Sequence, residues 1–297
     1  MGVFFMLKKA VAFFLCLMLL CASAYADALV QKWPQTGEPF GEDVETMRVI
    51  VMGIGAKDSF LIQCGGENML IDSGTYSAGE KVYQRLVALG VEHLDYAVNT
   101  HPHDDHIDGF LYLYEKGIQI DKFYTAFPLD YDEKQKKVLN TVRAHGTEII
   151  SIKEDTDLSF GGNQITCFQY ASSDTNHHSL ITRVALGDRA ILMLSDVGRG
   201  VHDWLVKEHK SEIGAEIVKL PHHGIYQPKK AMIQAINPEL CIITNGENSA
   251  SEKTVRYVKS WKLPILFTTR GDIEMVTDGQ IWYARQYDIV SATNVKK

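Results

Sequence analysis

Asn99-Thr100-His101-Pro102-His103-Asp104-Asp105-His106-Ile107-Asp108-Gly109 decides how this chain is read. The stretch sets three histidines and three aspartates within eleven residues, directly after the apolar run Leu94-Asp95-Tyr96-Ala97-Val98. Neither a core face nor a solvated face requires that composition. Imidazole and carboxylate together are the donors of Zn²⁺ and related ions. In an extended turn alternate residues face one way, so His101 and His103 are expected to grip one cation. Asp105 and His106 lie one turn further on and are expected to reach a second. A solvated polar loop is the plain alternative, and it leaves the donor count unexplained.

The flanking runs read as strands and helices of one layered domain. Met47 to Met52 and Ser59 to Gln63 are strand-like, and Gly65-Gly66 turns into Met69-Leu70-Ile71, which ends at Asp72-Ser73-Gly74. Val82, Leu86 and Leu89 recur at helical spacing up to Gly90. Beyond the histidine stretch come a helix to Gly117, strands at 122–124 and 148–152, and a polar helix near 132–145 between them. Gly161-Gly162-Asn163 turns into a strand at 164–170, and Leu180 to Leu186 pairs with Ala190 to Leu194 across Gly187-Asp188. The second half alternates helices near 200–208, 229–236 and 252–260 with strands at 216–219, 240–244 and 265–268. A last hairpin turns at Asp278-Gly279. The expectation is an α/β (α+β) fold: one domain over 47–297 with two packed mixed sheets and helices outside, after a lead-in segment at 27–46.

Residues 1–26 stand apart. Lys8-Lys9 precede an apolar run from Ala10 to Leu20, and Ala22-Ser23-Ala24 and Ala24-Tyr25-Ala26 are small-residue cleavage patterns. This reads as a secretory signal peptide, which places the mature protein outside the cell or in the periplasm. An uncleaved anchor is the alternative, and no second apolar run approaches membrane length. Cleavage leaves 28 basic and 37 acidic residues, a net charge of −9. That balance argues against an extended grip on nucleic acid and for a small-molecule or cell-envelope substrate. Cys64, Cys167 and Cys241 remain after cleavage, each in a strand-like run without ligand spacing, and read as buried free thiols.

Four donor-bearing points fall at ends of strand-like runs: Asp72, the loop 101–106, Asp196 in Leu194-Ser195-Asp196, and the late pair in Pro221-His222-His223-Gly224. Strand ends are rigid platforms, which converging ligands require. Two nearby cations need a bridging anion; Asp196 is the natural carboxylate and a hydroxide the other bridge. Metal binding brings the pKa of water down to about 7, which supplies a nucleophile at neutral pH.

With those residues in view, the chain resembles the metallo-β-lactamase superfamily. Within it, the likeness is to the hydrolase domain of ComEC-type competence (DNA-uptake) proteins, as an exported stand-alone member. Met52-Gly53-Ile54-Gly55 with Asp58-Ser59 resembles that branch's opening Val-Gly-x-Gly-Asp-Ser. Leu70 to Gly74, Thr100 to His106, Asn176-His177-His178-Ser179-Leu180, Leu194-Ser195-Asp196 and Lys219-Leu220-Pro221-His222-His223-Gly224 carry the rest. The resemblance implies the αββα sandwich, with metals at one edge between the sheets. Many superfamily members supply a third histidine to the first metal where this branch has asparagine. Asn176 keeps the asparagine, and His177 or His178 is a further candidate for metal or substrate. Ile225 stands where the branch usually has serine, and Asn248-Ser249-Ala250-Ser251 where it often carries His-Pro.

The expected metal ligands are therefore His101, His103, Asp105, His106, Asp196 and His223, around two divalent ions, Zn or Mn. Asp105, Asp196 and His222 are the expected catalytic groups, His222 touching substrate or supporting a ligand. Asp72 is expected to orient a ligand histidine through its free ring nitrogen, or else to make an Asx turn. Lys219 and Tyr226 flank the late pair as candidates to meet an anionic substrate. Asp104 and Asp108 read as solvent-facing, and His93, His145, His202 and His209 as surface residues. The activity expected is hydrolysis of a phosphodiester or other small phosphoester by a metal-bridging hydroxide. The alternatives are a β-lactam or other cyclic amide or ester hydrolase, and a non-catalytic metal-binding envelope module.

Overall fold

The computed structural model describes residues 28–287. The signal segment expected at 1–26 lies outside the described residues. In chain order the strands are β1 (Val30–Lys32), β2 (Met47–Val51), β3 (Phe60–Cys64), β4 (Glu67–Ile71), β5 (His93–Asn99), β6 (Gln119–Thr125), β7 (Glu148–Ser151), β8 (Thr156–Phe160), β9 (Asn163–Phe168), β10 (Ile181–Leu186), β11 (Arg189–Met193), β12 (Ile217–Lys219), β13 (Leu240–Ile243), β14 (Ile265–Phe267), β15 (Ile273–Thr277) and β16 (Trp282–Gln286). They form two mixed sheets, ordered β1-β16-β15-β2-β3-β4-β5-β6-β7 and β14-β13-β12-β11-β10-β9-β8.

Alternation within single strands sets the layers. In β2, Val49 and Val51 face the same core as Ile62 of β3, while Ile50 turns the other way with Leu61. Apolar residues on both faces mark strands covered on both sides. One face is covered by the helix Tyr76–Ala88, whose Val82 and Leu86 pack with Ile50, Leu61 and Leu70. The other is covered by the second sheet, where Ile191, Met193, Ile217 and Ile242 meet Val49, Ile62 and Val98. On the far side Leu192, Val218 and Ile243 pack on Val201 and Leu205 of the helix Arg199–His209 and Val255 of the helix Glu252–Ser260. The result is an αββα sandwich. Each fully buried aliphatic side chain contributes about 1.5–3 kcal/mol of transfer free energy to holding these layers together.

Neighbouring strands β4 and β5 run parallel in the first sheet, as do β11 and β12 in the second. Their C-terminal ends open on one edge of the sandwich, and the four donor-bearing loops follow them.

The structure corrects three expectations. The lead-in holds a strand: β1 pairs in parallel with β16, Val30 opposite Trp282. A strand also forms at Thr156–Phe160, where Leu158 and Phe160 alternate with the polar Asp157 and Ser159 that mask it in sequence. His202 is not on the surface; it is 1% exposed under the helix Arg199–His209. Cys64, Cys167 and Cys241 are buried free thiols. Among the described residues no helix is long and apolar enough to cross a membrane.

Candidate metal centre

Tight turns at the strand ends aim the donors. Asp72, Ser195, His222 and His223 all have positive φ, at 54°, 43°, 48° and 51°. Such backbone costs on the order of 1–3 kcal/mol per non-glycine residue and persists only where surrounding contacts impose it. At Ser195 and the late pair those contacts include His222 N–H donating to Ser195 O (2.9 Å) and Lys219 Nζ donating to the same carbonyl (2.9 Å). Ser73 N–H donates to His106 O (2.7 Å), which ties the end of β4 to the histidine loop.

One oxygen is the centre of the arrangement. Asp196 Oδ2 lies 3.7 Å from His101 Nε2, 3.5 Å from His106 Nε2, 3.6 Å from His222 Nε2 and 3.5 Å from His223 Nε2. Asp105 joins from the side, 3.3 Å from His223 Nε2 and 4.0 Å from His106 Nε2. A charge-assisted hydrogen bond between these groups would be about 2.7–2.9 Å long. Two donors each about 2.1 Å from one ion at a tetrahedral angle stand about 3.4 Å apart. The observed spacing is that of co-ligands. Burial agrees: Nε2 of His101, His106 and His223 and Oδ1 of Asp196 are buried without a hydrogen-bond partner. Desolvated polar atoms left so are expensive unless a further group satisfies them. The donor set is imidazole and carboxylate, so divalent cations fit it. The donors that face the centre fall into two overlapping groups, His101–His106–Asp196 and Asp105–His106–His223, and behind them Asp58 forms two more, with Asp196 and His223 and with Asp72 and His106.

The buried charges reinforce this. Burial alone would raise Asp196, but His106, His223 and Lys219 outweigh it and hold the carboxyl well below its ordinary range. Burial would lower His106, yet Asp196 and Asp72 carry it up to about 10. His101 is pushed well down by burial and by neighbouring His106, which leaves a neutral ring able to donate a lone pair.

Residues 52–119, which hold β3, β4, β5 and the histidine loop, match the family model described as the metallo-beta-lactamase superfamily. Over that stretch the chain is similar to the metallo-β-lactamase superfamily. It is 24% identical over 214 residues to the competence protein ComA of Neisseria gonorrhoeae, a match covering 71% of this chain and 29% of ComA. The metallo-β-lactamase fold protein YhfI from Bacillus subtilis superposes with a TM-score of 0.55 at 14% identity, over 81% of this chain and 100% of YhfI. Tm1679, a metal-dependent hydrolase of the β-lactamase superfamily, gives 0.54 at 14% identity, over 76% of this chain and 98% of Tm1679. CmlA, a diiron β-hydroxylase from Streptomyces venezuelae, gives 0.51 at 11% identity, over 81% of this chain and 55% of CmlA.

Within the site the expected residues fall into place unevenly. Asp72 accepts from His106 Nδ1 (2.7 Å), Thr100 N–H (2.8 Å) and Thr100 Oγ1 (2.6 Å), so it turns His106 Nε2 toward the centre. His103 packs edge-on against His101, ring centroids 4.7 Å apart, and joins neither donor group. The chain bends at Pro102, which breaks the alternation that would pair His101 with His103; His106 stands beside His101 instead, 3.9 Å between ring centroids. His222 and His223 both reach Asp196, but His223 is buried whereas the His222 side chain keeps 21% exposure, with Tyr226 edge-on at 4.8 Å.

His178 is not available as a ligand: Nδ1 accepts from Ser172 N–H (3.2 Å) and Nε2 lies 3.3 Å from Ala126 O. His177 sits over Gly198, and its Nδ1 faces Asp174 at 3.7 Å, outside both donor groups. Asn176 Oδ1 is buried without a partner, which keeps it a candidate donor. Lys219 cannot meet a substrate: it is 0% exposed and its ammonium pairs with Asp58. Asp58 itself is the residue the sequence concealed, 1% exposed and 3.3 Å from His223 Nδ1. Its one sequence signal is the Gly-x-Gly-x-x-Asp-Ser-like opening, which names no partner.

Proposed function

We propose that this protein is an exported, dinuclear metal-dependent hydrolase of a phosphodiester or other small phosphoester. The observation that carries the hydrolase reading is the single carboxylate oxygen of Asp196 within 3.5–3.7 Å of four histidine nitrogens. His101 and Asp196 would hold one ion, with His103 and Asn176 adjoining; Asp105, His106 and His223 would hold the other, because the one lone pair of His106 Nε2 serves a single ion. Bound divalent ions supply Lewis acidity and a water acidified toward neutral pH.

The chain's own residues do the rest. Asp196 keeps a fixed negative charge at the centre of the site, and Asp72 holds His106 in one tautomer and orientation. His222 is the histidine of the cluster open to solvent, so it exchanges a proton with substrate at Nε2 or contacts the leaving group. The phosphoester preference rests on the ComEC-like motifs and on an acidic net charge that favours a small substrate. Export rests on the basic, apolar and small-residue pattern of residues 8–26.

The test has two arms. Elemental analysis of purified protein is expected to find about two Zn or Mn per chain; none, before or after reconstitution, would refute the reading. A panel of chromogenic phosphodiesters is expected to turn over while a chromogenic cephalosporin does not, and the reverse would assign the β-lactam alternative.

A further inference from the structure

Asp58 and Lys219 are both buried at the core of the site, yet the hydrolase reading gives neither a task. They come from opposite sheets. Asp58 precedes β3, its N–H donating to Asp105 O (3.3 Å) and its carbonyl accepting from Gly74 N–H (2.9 Å). Lys219 ends β12. Lys219 Nζ pairs with Asp58 Oδ2, donates to Ser195 O at 2.9 Å and faces Asp196 Oδ1 at an ion-pair distance of 3.5 Å, too long for a hydrogen bond between charged groups. Asp58 Oδ1 stands 3.3 Å behind His223 Nδ1, whose other neighbour is Thr244 Oγ1 at 3.0 Å.

The same construction occurs on the other side. Asp72 stands 2.7 Å behind His106 Nδ1. Two of the three buried histidines that present Nε2 to the shared centre, His106 and His223, thus have a buried carboxylate near Nδ1, whereas His101 has Thr100 Oγ1 there at 3.1 Å. Asp72 also takes two bonds from Thr100, whereas Asp58 takes a lysine that continues to the backbone of the Ser195 turn and to Asp196 itself.

We propose that Asp58 and Lys219 are a positioning pair for the metal centre: Asp58 fixes the ring of His223, and Lys219 locks Asp196 and the Ser195 turn to that carboxylate. The pair links the carboxylate at the shared centre with a histidine beside it, so a shift in one moves the other. This rests on the reading that cations bind there.

Zn²⁺ binding to the whole chain, titrated in competition with a chromogenic chelator, separates this from a merely charge-compensating core pair. Asp58→Asn with Lys219→Met removes both charges, so no buried charge is left alone. If the pair only balances charge, this double variant binds both ions as tightly as wild type, and the proposal is overturned. If the pair positions, the double variant stays folded but binds one of the two ions 10- to 100-fold more weakly. Saturation at one ion per chain would make Asp58 a ligand and also overturn the positioning role. Should the double variant not fold, Co²⁺-loaded Asp58→Asn decides: a shifted visible band with weakened affinity supports the pair, and an unchanged band and affinity refutes it. Wild-type protein that binds no ion would instead sink the hydrolase reading itself.

Discussion

Asp72 illustrates how much a single side chain carries. It satisfies Thr100 twice and His106 once, all out of water. Asp72→Ala is expected to weaken ion binding 10- to 100-fold, read by chelator competition. It should also destabilise the fold by about 1–3 kcal/mol through the unpaired Thr100 groups, read by urea unfolding. His202 makes a different prediction. Burial, aided by Arg199 and Lys229, pushes its pKa down to about 4, against an ordinary value near 6.5. The unfolded chain therefore takes up a proton before the folded one does. The stability His202 contributes is full above pH 6.5 and is lost as pH falls from there toward 4, by about 3 kcal/mol in all. His202→Leu should flatten that part of the profile, and equal pH dependence in variant and wild type would refute it. Residue chemistry was legible in the sequence where residue types cluster, as at 101–106. It was hidden where a partner is distant, as for Asp58 with Lys219, or where a helix places a lone histidine inward, as for His202.

At the scale of elements, close approach replaces chemistry. Gly109 begins the helix Gly109–Glu115, and a Cβ there would stand 2.0 Å from Ser73 O. Its N–H donates to Gly74 O at 2.8 Å, so helix and strand end are in backbone contact. Gly109→Ala must push the Asp72 turn away from the histidine loop. The expected result is a loss of about 1–3 kcal/mol of stability, with reduced metal content in the protein that folds. Metal content equal to wild type would show that the turn yields without moving Asp72. The helix at 76–88 was readable from spacing, those at 133–144, 199–209 and 252–260 from the alternation of segments, and the strands whose faces are both buried from their apolar runs. β1 and β8 were not, because edge strands carry polar residues and β1 finds its partner some 250 residues away, which no local pattern reports.

For the whole molecule, the residues of the site divide between the two sheets. His101, Asp105 and His106 follow β5 of the first, and Asp196, His222 and His223 follow β11 and β12 of the second. That division follows from the two packed sheets and the strand-end positions, both of which the sequence suggests; that His106 stands closer to His101 than His103 does needed coordinates. Binding at such a place stabilises only the closed sandwich. Ions at a hundredfold excess over Kd should contribute about 2.7 kcal/mol per site, so chelation is expected to lower the unfolding midpoint, and equal midpoints with and without chelator would contradict it. The seam has one more consequence. Because neither sheet alone holds a complete donor group, an ion cannot stay bound once the layer of Val49, Ile62, Met193 and Ile242 has opened. Ion release during unfolding is then a clock for the parting of the two halves, and ion capture during refolding marks the moment they close.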